Sequence, residues 1–467
     1  MIKALKFSLS ISLILLLTLK LEASIRLPSI LGNHMVVRHN STIILWGWCN
    51  PGEKIKVLND WNAQVDSTIG LNTAKWSVEI KTSVSGGPHK ITLIGQNTLV
   101  LDDILFGEVW LCSGQSNMEM SGEWNSRSIQ ADIPQANHPN IRFFTVLKST
   151  STNPQDNLEG KWLVCTPENM KSFSAVGYYF GRDLNEMLKE PIGLINSSWG
   201  GTPAEAWTPK EEIAQNLILK ESNLRLDSSP SWPIKPGYTY NSMIYPLKNY
   251  KVTGAIWYQG EANIKENTSY SLLLTTLIKS WRGLFQNNFP FYYVQIAPFA
   301  GYGNNLNGPL LREAQTRALD LEGTGMIIIS DLVDDINDIH PKNKRDVGLR
   351  LANLALTKTY GIKNLPYRYP SFDSFKLKGD AIEINFKDAE EGLMSRNENP
   401  TGFLIAGDDQ IYHTATVKVK GNKATVFSKE VKKPLNVRFG YSNSSVPNLF
   451  SKEGLPVNIF RTDSLSN

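Results

Sequence analysis

VWLCSGQSNM, residues 109–118, is an apolar run that breaks into a turn of small residues and then into the start of a helix. Four apolar residues ahead of a glycine have the length and make-up of a strand buried on both faces, and Gly114 permits the tight turn that follows. The same transition recurs along the chain. Residues 192–196 lead into Ser197-Ser198-Trp199-Gly200-Gly201-Thr202-Pro203, residues 255–258 into Gln259-Gly260-Glu261-Ala262-Asn263, and residues 326–330 into a loop carrying Asn337-Asp338-Ile339-His340-Pro341; 291–296 is a fifth apolar run. Between these runs apolar residues recur at spacings of three and four. In 175–190 they are Val176, Tyr179, Phe180, Leu184, Met187 and Leu188, and similar patterns cover 270–285, 310–321 and 347–358. Strand alternating with helix predicts a parallel sheet covered on both faces by helices, an α/β core.

Outside this core the pattern changes. Residues 25–106 carry short alternating segments (42–45, 54–57, 90–94) punctuated by Asn50-Pro51-Gly52 and Gly86-Gly87-Pro88, and 370–467 read the same way (381–386, 416–419, 424–427). Two β-rich modules therefore flank the core, giving the division 25–106, 107–369 and 370–467. Residues 214–240, rich in Ser, Pro and Trp, read as an irregular insertion near the site. At the N-terminus Lys3 and Lys6 precede an apolar run, 7–19, with Ala23 and Ser24 beyond it. That is the layout of a cleaved secretory signal, residues 1–24, and predicts a secreted or periplasmic protein with no membrane span after cleavage.

Composition narrows the function classes. Across 467 residues, 48 basic against 44 acidic side chains leave no strong field to draw nucleic acid or an acidic membrane surface. The three cysteines, Cys49, Cys112 and Cys165, allow at most one intrachain bridge, and whether Cys112 and Cys165 pair is open at this level. No CxxC or HExxH occurs, and the acidic stretch 331–338 lacks the spacing of a calcium loop, so no metal or cofactor is expected.

In an open α/β sheet the binding crevice lies beyond the carboxyl ends of the strands. All the polar clusters above land on that edge, which lifts Ser116 from an ordinary helix-capping serine to a candidate nucleophile and His340 from a loop histidine to its base. Acyl transfer also needs donors aimed at the oxyanion; Gly200-Gly201 can bring in a backbone N–H and Gln259 offers an amide. Trp124, Trp199, Trp207, Trp257 and Tyr258 fall around the same motifs, where aromatic faces suit the C–H faces of sugars.

GEVWLCSGQSNMEM (107–120), together with WGGTPAEAW, WYQGEAN and NDIHP, resembles the sialate O-acetylesterase family of SGNH-type serine esterases. The likeness extends to LWGWCNPGEKIKV (45–57), KWLVCTPENMKSFSAVGYYFGRDL (161–184), YNSMIYPL (240–247) and the C-terminal LPVNIFRTD, and so covers nearly the whole chain beyond residue 24. The resemblance implies a flavodoxin-like α/β/α hydrolase core that removes O-acetyl groups from sugars without a metal. It implies Ser116 as nucleophile, His340 as general base, and Gly201 and Gln259 as oxyanion-hole positions beside the Ser116 N–H. Gln115, Trp257, Glu261 and Asn263, in the same motifs, are the expected substrate contacts. The wider pattern places the acid three residues before the histidine, where this chain has Asn337. Asp338, two residues before, is the preferred acid, with Asn337, Asp335 or a backbone carbonyl as alternatives.

The expected partner is an acetylated sugar or glycan, 9-O-acetyl sialic acid first among them. An acetylesterase acting on xylan or pectin and an inactive carbohydrate-binding protein on the same scaffold are the rival readings. A sialate carboxylate calls for a cation, with Arg127, Arg312 and Arg345 as candidates.

Overall fold

In the computed structural model, residues 25–464 are described apart from 125, 304, 397 and 398, with the side chain of 127 also outside the description; the expected leader, 1–24, lies outside the described residues. The apolar run at 109–112 is the buried end of a much longer strand, Thr98–Gly114. Its first half pairs antiparallel with Gly86–Ile94 and parallel with Val36–Arg38 in the N-terminal β region, crossing the expected boundary at 106/107. Its second half sits at the centre of a seven-strand run ordered Thr324–Ile327, Phe291–Val294, Gly254–Tyr258, Thr98–Gly114, Ile192–Ser198, His138–Thr145, Trp162–Cys165. All neighbours in that run are parallel except the last pair.

Side chains alternate across a strand, and here the alternation divides the core in two. Val109, Leu111, Ala255, Trp257, Phe291 and Tyr293 belong to the apolar cluster that contains the helix Asn267–Phe285. Trp110, Cys112, Ile256, Tyr258, Tyr292 and Val294 pack into the other, with Val176, Tyr179, Phe180 and Leu184 of Ala175–Leu188 and Val347 and Leu351 of Lys344–Lys358. The sheet is thus buried on both faces, the flavodoxin-like α/β architecture expected. Among the described residues, no helix is long and apolar enough to cross a membrane.

The C-terminal residues form further antiparallel sheets, one of them ordered Ser371–Lys378, Ala381–Lys387, Lys423–Phe427, Thr416–Lys420. They dock on the core through polar contacts. Asn443 accepts from Gly308 N at 2.8 Å, and Arg312 donates to the Ser442 carbonyl.

Three details depart from the sequence reading or complete it. The insertion expected to be irregular contains a helix, Leu217–Leu224, capped by the Asn216 side chain; Leu217 and Leu224 are largely exposed, so no apolar stripe betrays it. Cys49, Cys112 and Cys165 are all buried free thiols, and Cys112 does not pair with Cys165. Of the asparagines in Asn-X-Ser/Thr triplets, Asn196, Asn267 and Asn443 are buried and Asn40 is exposed.

Candidate active site

The chain builds strands to one side of Thr98–Gly114 first and to the other side afterwards, so the crevice opens over the carboxyl end of that strand. Gly114 lies in register with Ser198 on one side and Tyr258 on the other, and the three loops leave the sheet at one level. Gly114 has a φ of +136°, and a Cβ there would fall 2.2 Å from the Tyr258 carbonyl oxygen; only glycine lets the strand end so tightly against its neighbour. The turn delivers Ser116, half-buried, to the first position of the short helix Ser116–Glu119, whose cap residue Gln115 makes no side-chain capping bond. The first N–H groups of a helix have no partner within it, so the Ser116 amide is available to a ligand.

His340 arrives from the loop after Thr324–Ile327. Its Nε2 lies 2.9 Å from Ser116 Oγ across 224 residues of sequence. Trp124 packs against the imidazole with ring centroids 5.5 Å apart and ring planes at 78°, covering it on that side.

A turn closed by Asp338 N on the Asp335 carbonyl folds the Asp338 carboxylate back toward the histidine. Its Oδ1 accepts from His340 N at 2.9 Å and lies 3.6 Å from Nδ1, beyond hydrogen-bond length, while Oδ2 accepts from Lys342 at 2.6 Å. Burial works against that carboxylate's charge, but Lys342 and the His340 N–H outweigh it and hold Asp338 below the usual carboxylate range. Asn337 and Asp335 are exposed and bonded to each other through Asp335 Oδ1.

The glycine pair resolves into two roles. Gly200 donates its N–H to Glu119 Oε2 at 2.6 Å, and a Cβ on Gly200 would stand 3.3 Å from Ser116 Cβ, so this turn rests directly on the serine. Gly201, at φ +79°, lies under the indole of Trp232, and its N–H is the one in the pair not taken by Glu119.

Other predicted residues sit behind the site. Gln259 is fully buried; its Nε2 donates to the Thr202 carbonyl at 3.3 Å and to Asn263 Oδ1 at 2.7 Å, and its Oε1 accepts from Tyr270 at 2.8 Å. Both donors are spent on loop contacts, which leaves none for an oxyanion. Trp257 lies on the helix-covered face, edge-on to Trp207 and Trp281, and is closed to a ligand. Asn263 is buried, receiving Ala204 N and donating to Glu205. Gln115 Oε1 accepts from Ala262 N, tying the serine turn to the Gln259–Asn263 loop. Strand alternation turns Trp257 onto that face, while Gln259 and Asn263 lie past the strand end, where their bonds tie loop to loop: a motif at a strand end reveals the edge of the sheet but not which of its residues face the crevice.

Three residues not singled out complete the setting. Asn117 donates Nδ2 to Glu261 Oε1 at 2.7 Å and to the Ile339 carbonyl at 3.1 Å, and its Oδ1 accepts from Lys344 Nζ at 2.6 Å. Glu119 holds Gly200 and pairs with Lys148. The signal was present in sequence, since Asn117 and Glu119 lie within GQSNME and Lys344 four residues past His340. Burial lowers the His340 pKa and the Lys344 ammonium lowers it further, with Asp338 opposing and Lys342 adding to the decrease. Among the described residues, one group, His39, Glu108 and Glu190, brings metal-type donor atoms within 4.8 Å of one another. Glu108 lies six residues before Gly114 on the same strand, roughly 20 Å from the serine turn.

Residues 107–357 match the family described as carbohydrate esterase, sialic acid-specific acetylesterase. The chain is 32% identical over 411 residues to a sialate O-acetylesterase of Homo sapiens, covering 80% of this chain and 78% of the relative. It is 30% identical over 440 residues to a sialate O-acetylesterase of Mus musculus, with 80% and 81% covered. The crystal structure of a carbohydrate acetylesterase from Xanthomonas citri superposes with a TM-score of 0.86 at 35% identity, covering 94% of this chain and 100% of that one.

Proposed function

The chain belongs to the sialic acid-specific acetylesterase family of carbohydrate esterases, and we propose that it hydrolyses sugar O-acetyl esters through a covalent acetyl-Ser116 intermediate. It is a carboxylic ester hydrolase. The observation that carries the serine route is the 2.9 Å approach of His340 Nε2 to Ser116 Oγ.

With the Nδ1 proton directed toward Asp338, Nε2 is the acceptor for the serine proton. Ser116 Oγ attacks the acetyl carbonyl as His340 takes that proton, and the oxyanion forms against the N–H groups of Ser116 and Gly201. His340 then protonates the departing sugar oxygen. Water, deprotonated by the same nitrogen, attacks the acetyl-enzyme and releases acetate. The depressed His340 pKa suits a base, because the imidazole stays neutral to lower pH than an ordinary histidine. Sugar rings have exposed aromatic surface available at Trp124 and Trp232, both 39% exposed, beside the reacting pair and over Gly201 respectively.

We favour 9-O-acetyl sialic acid as the substrate; what supports a sialate ester is the family's description and the name sialate O-acetylesterase carried by the human and mouse relatives, neither of which names the O-position. A second reading, a neutral acetylated polysaccharide such as xylan, is favoured by the charge around the crevice. Lys148 pairs with Glu119, Lys342 with Asp338 and, in the cavity of about 210 Å³ beyond Gly201, Arg225 with Glu266 and Lys265 with Asp227. Arg312 is buried against the C-terminal loops and Arg345 is held by Asp132, so neither is a free cation for a substrate carboxylate. We place the activity outside the cytoplasm, on the leader pattern of residues 1–24.

Acetate release from 9-O-acetyl sialic acid, acetylated xylan and acetylated pectin tests the substrate, and Ser116→Ala tests the route. The expected result is a loss of at least about 10⁴-fold in kcat with folding intact. Turnover retained by purified Ser116→Ala would remove the serine from the reaction.

A further inference from the structure

Asn117, Glu261 and Lys344 come from the first turns of three different helical segments and are at most 6% exposed. Glu261 and Lys344 do not touch; the Asn117 amide stands between them, its nitrogen on the carboxylate and its oxygen on the ammonium. The same amide nitrogen also holds the Ile339 carbonyl, the residue before His340, while Asn117 itself follows Ser116. One side chain therefore links the backbone on which the nucleophile sits to the backbone that carries the base. Burial of an ammonium and a carboxylate without direct contact is costly, and apolar replacements of similar volume commonly stabilise such sites. Glu261 Oε2 is left with no hydrogen-bond partner among the described residues, which stability alone would not favour.

We propose that Asn117, Glu261 and Lys344 are positioning residues for the deacetylation, a buried cross-brace that fixes Ser116 against His340 and sets a cation behind the imidazole. The proposal rests on the Ser116–His340 route above. Lys344 faces Glu261 and Asn117, lies 5.2 Å from the Tyr258 ring centroid, and feels Asp338, Asp334 and Lys342 from its own segment. His340 faces Ser116 and Trp124 from the serine loop and Asp338 and Lys342 from its own. A positive charge at Lys344 disfavours imidazolium, so removing it raises the pH at which His340 becomes protonated and inactive. Burial pushes Lys344 down to about 7, against the pull of Glu261 and Asp338, which means its own charge is at stake in the working range.

The test uses the full chain with 4-nitrophenyl acetate, a small neutral ester that needs no sugar contact. Lys344→Met should lower kcat tenfold to a hundredfold, in the range expected for a misplaced reacting pair, with KM changed less than about twofold. The acid limb of its kcat/KM profile should move to higher pH. Should that variant fail to fold, Glu261→Gln/Lys344→Met, which removes both charges together, takes its place with the same expectation. An unmoved limb in the folded variants overturns the proposal. Retained turnover in Ser116→Ala would instead overturn the serine route; an inactive Ser116→Ala beside an unaltered Lys344→Met defeats the brace alone.

Discussion

Two histidines stand against the strand Thr98–Gly114, one beside its middle at Glu108 and one at its carboxyl tip, and the one with the closer carboxylates is the one without a nucleophile. His39 Nε2 lies 3.0 Å from Glu108 Oε1 and 3.3 Å from Glu190 Oε2, whereas His340 Nδ1 is 3.6 Å from Asp338. Glu108 is buried and fully engaged, with Thr253 and Tyr360 on its other oxygen. Both carboxylates meet His39 through Nε2, and Asn40 occupies Nδ1, so neither ring nitrogen is left to take a proton from a hydroxyl. At the carboxyl tip Nε2 of His340 meets a half-buried serine at a helix start, beside a glycine turn whose Gly201 N–H has no partner among the described residues. The contrast shows that a histidine–carboxylate contact does not by itself make a base. What matters is which ring nitrogen is left for the reacting group and whether donors await the charge that develops.

Three substitutions probe that contrast, in decreasing order of effect. His340→Ala should reduce kcat by about 10⁴-fold or more with an unchanged melting curve. A loss below tenfold would assign the base elsewhere. Asp338→Asn should cost well under the roughly 10⁴-fold that a buried triad aspartate carries, because this carboxylate is shared with Lys342 and sits beyond hydrogen-bond length. Since Asp338 favours the imidazolium, its removal lowers the His340 pKa further and moves the acid limb of the pH profile to lower pH. A defect as deep as that of His340→Ala would show that Asp338 closes on the ring during turnover. His39→Gln should leave kcat/KM unchanged and lower stability by about 1–2 kcal/mol in urea denaturation, as a buried carboxylate loses a donor. A fall in kcat there would mean the middle of the strand is coupled to its carboxyl tip.

Much of this arrangement was legible in the residues. Apolar runs and three-and-four spacing located four of the core strands and the four long helices to within a few residues, because each is buried on a recognisable face, but of the central strand only the buried end at 109–112 was read, its first half being half-exposed. His138–Thr145 and Trp162–Cys165 were not read as strands; Arg142 and the exposed Pro139 and Asn140 break the apolar pattern of the first, and the second is only four residues long. Ser116 and His340 were singled out from their company at strand ends, and the fold brings them to 2.9 Å. Two features a motif does not show direct the next pair away from the crevice: the pleat turns Trp257 onto the face covered by Asn267–Phe285, and Gln259, just past the strand, spends its amide on Thr202 and Asn263. Asn117 and Lys344 escaped notice for a different reason. An asparagine and a lysine read as surface residues until the fold shows that both are enclosed.

The strand that carries the nucleophile also belongs to the N-terminal sheet, and its 17 residues run without interruption from one sheet to the other. A chain begun at residue 107, where the family match begins, would start in mid-strand and lose Gly86–Ile94 and Val36–Arg38 together with the half of the strand that pairs with them. The flanking sheet is therefore no detachable appendage. It is the anchored root of the beam whose far tip presents the serine, and severing it would unmoor both halves together.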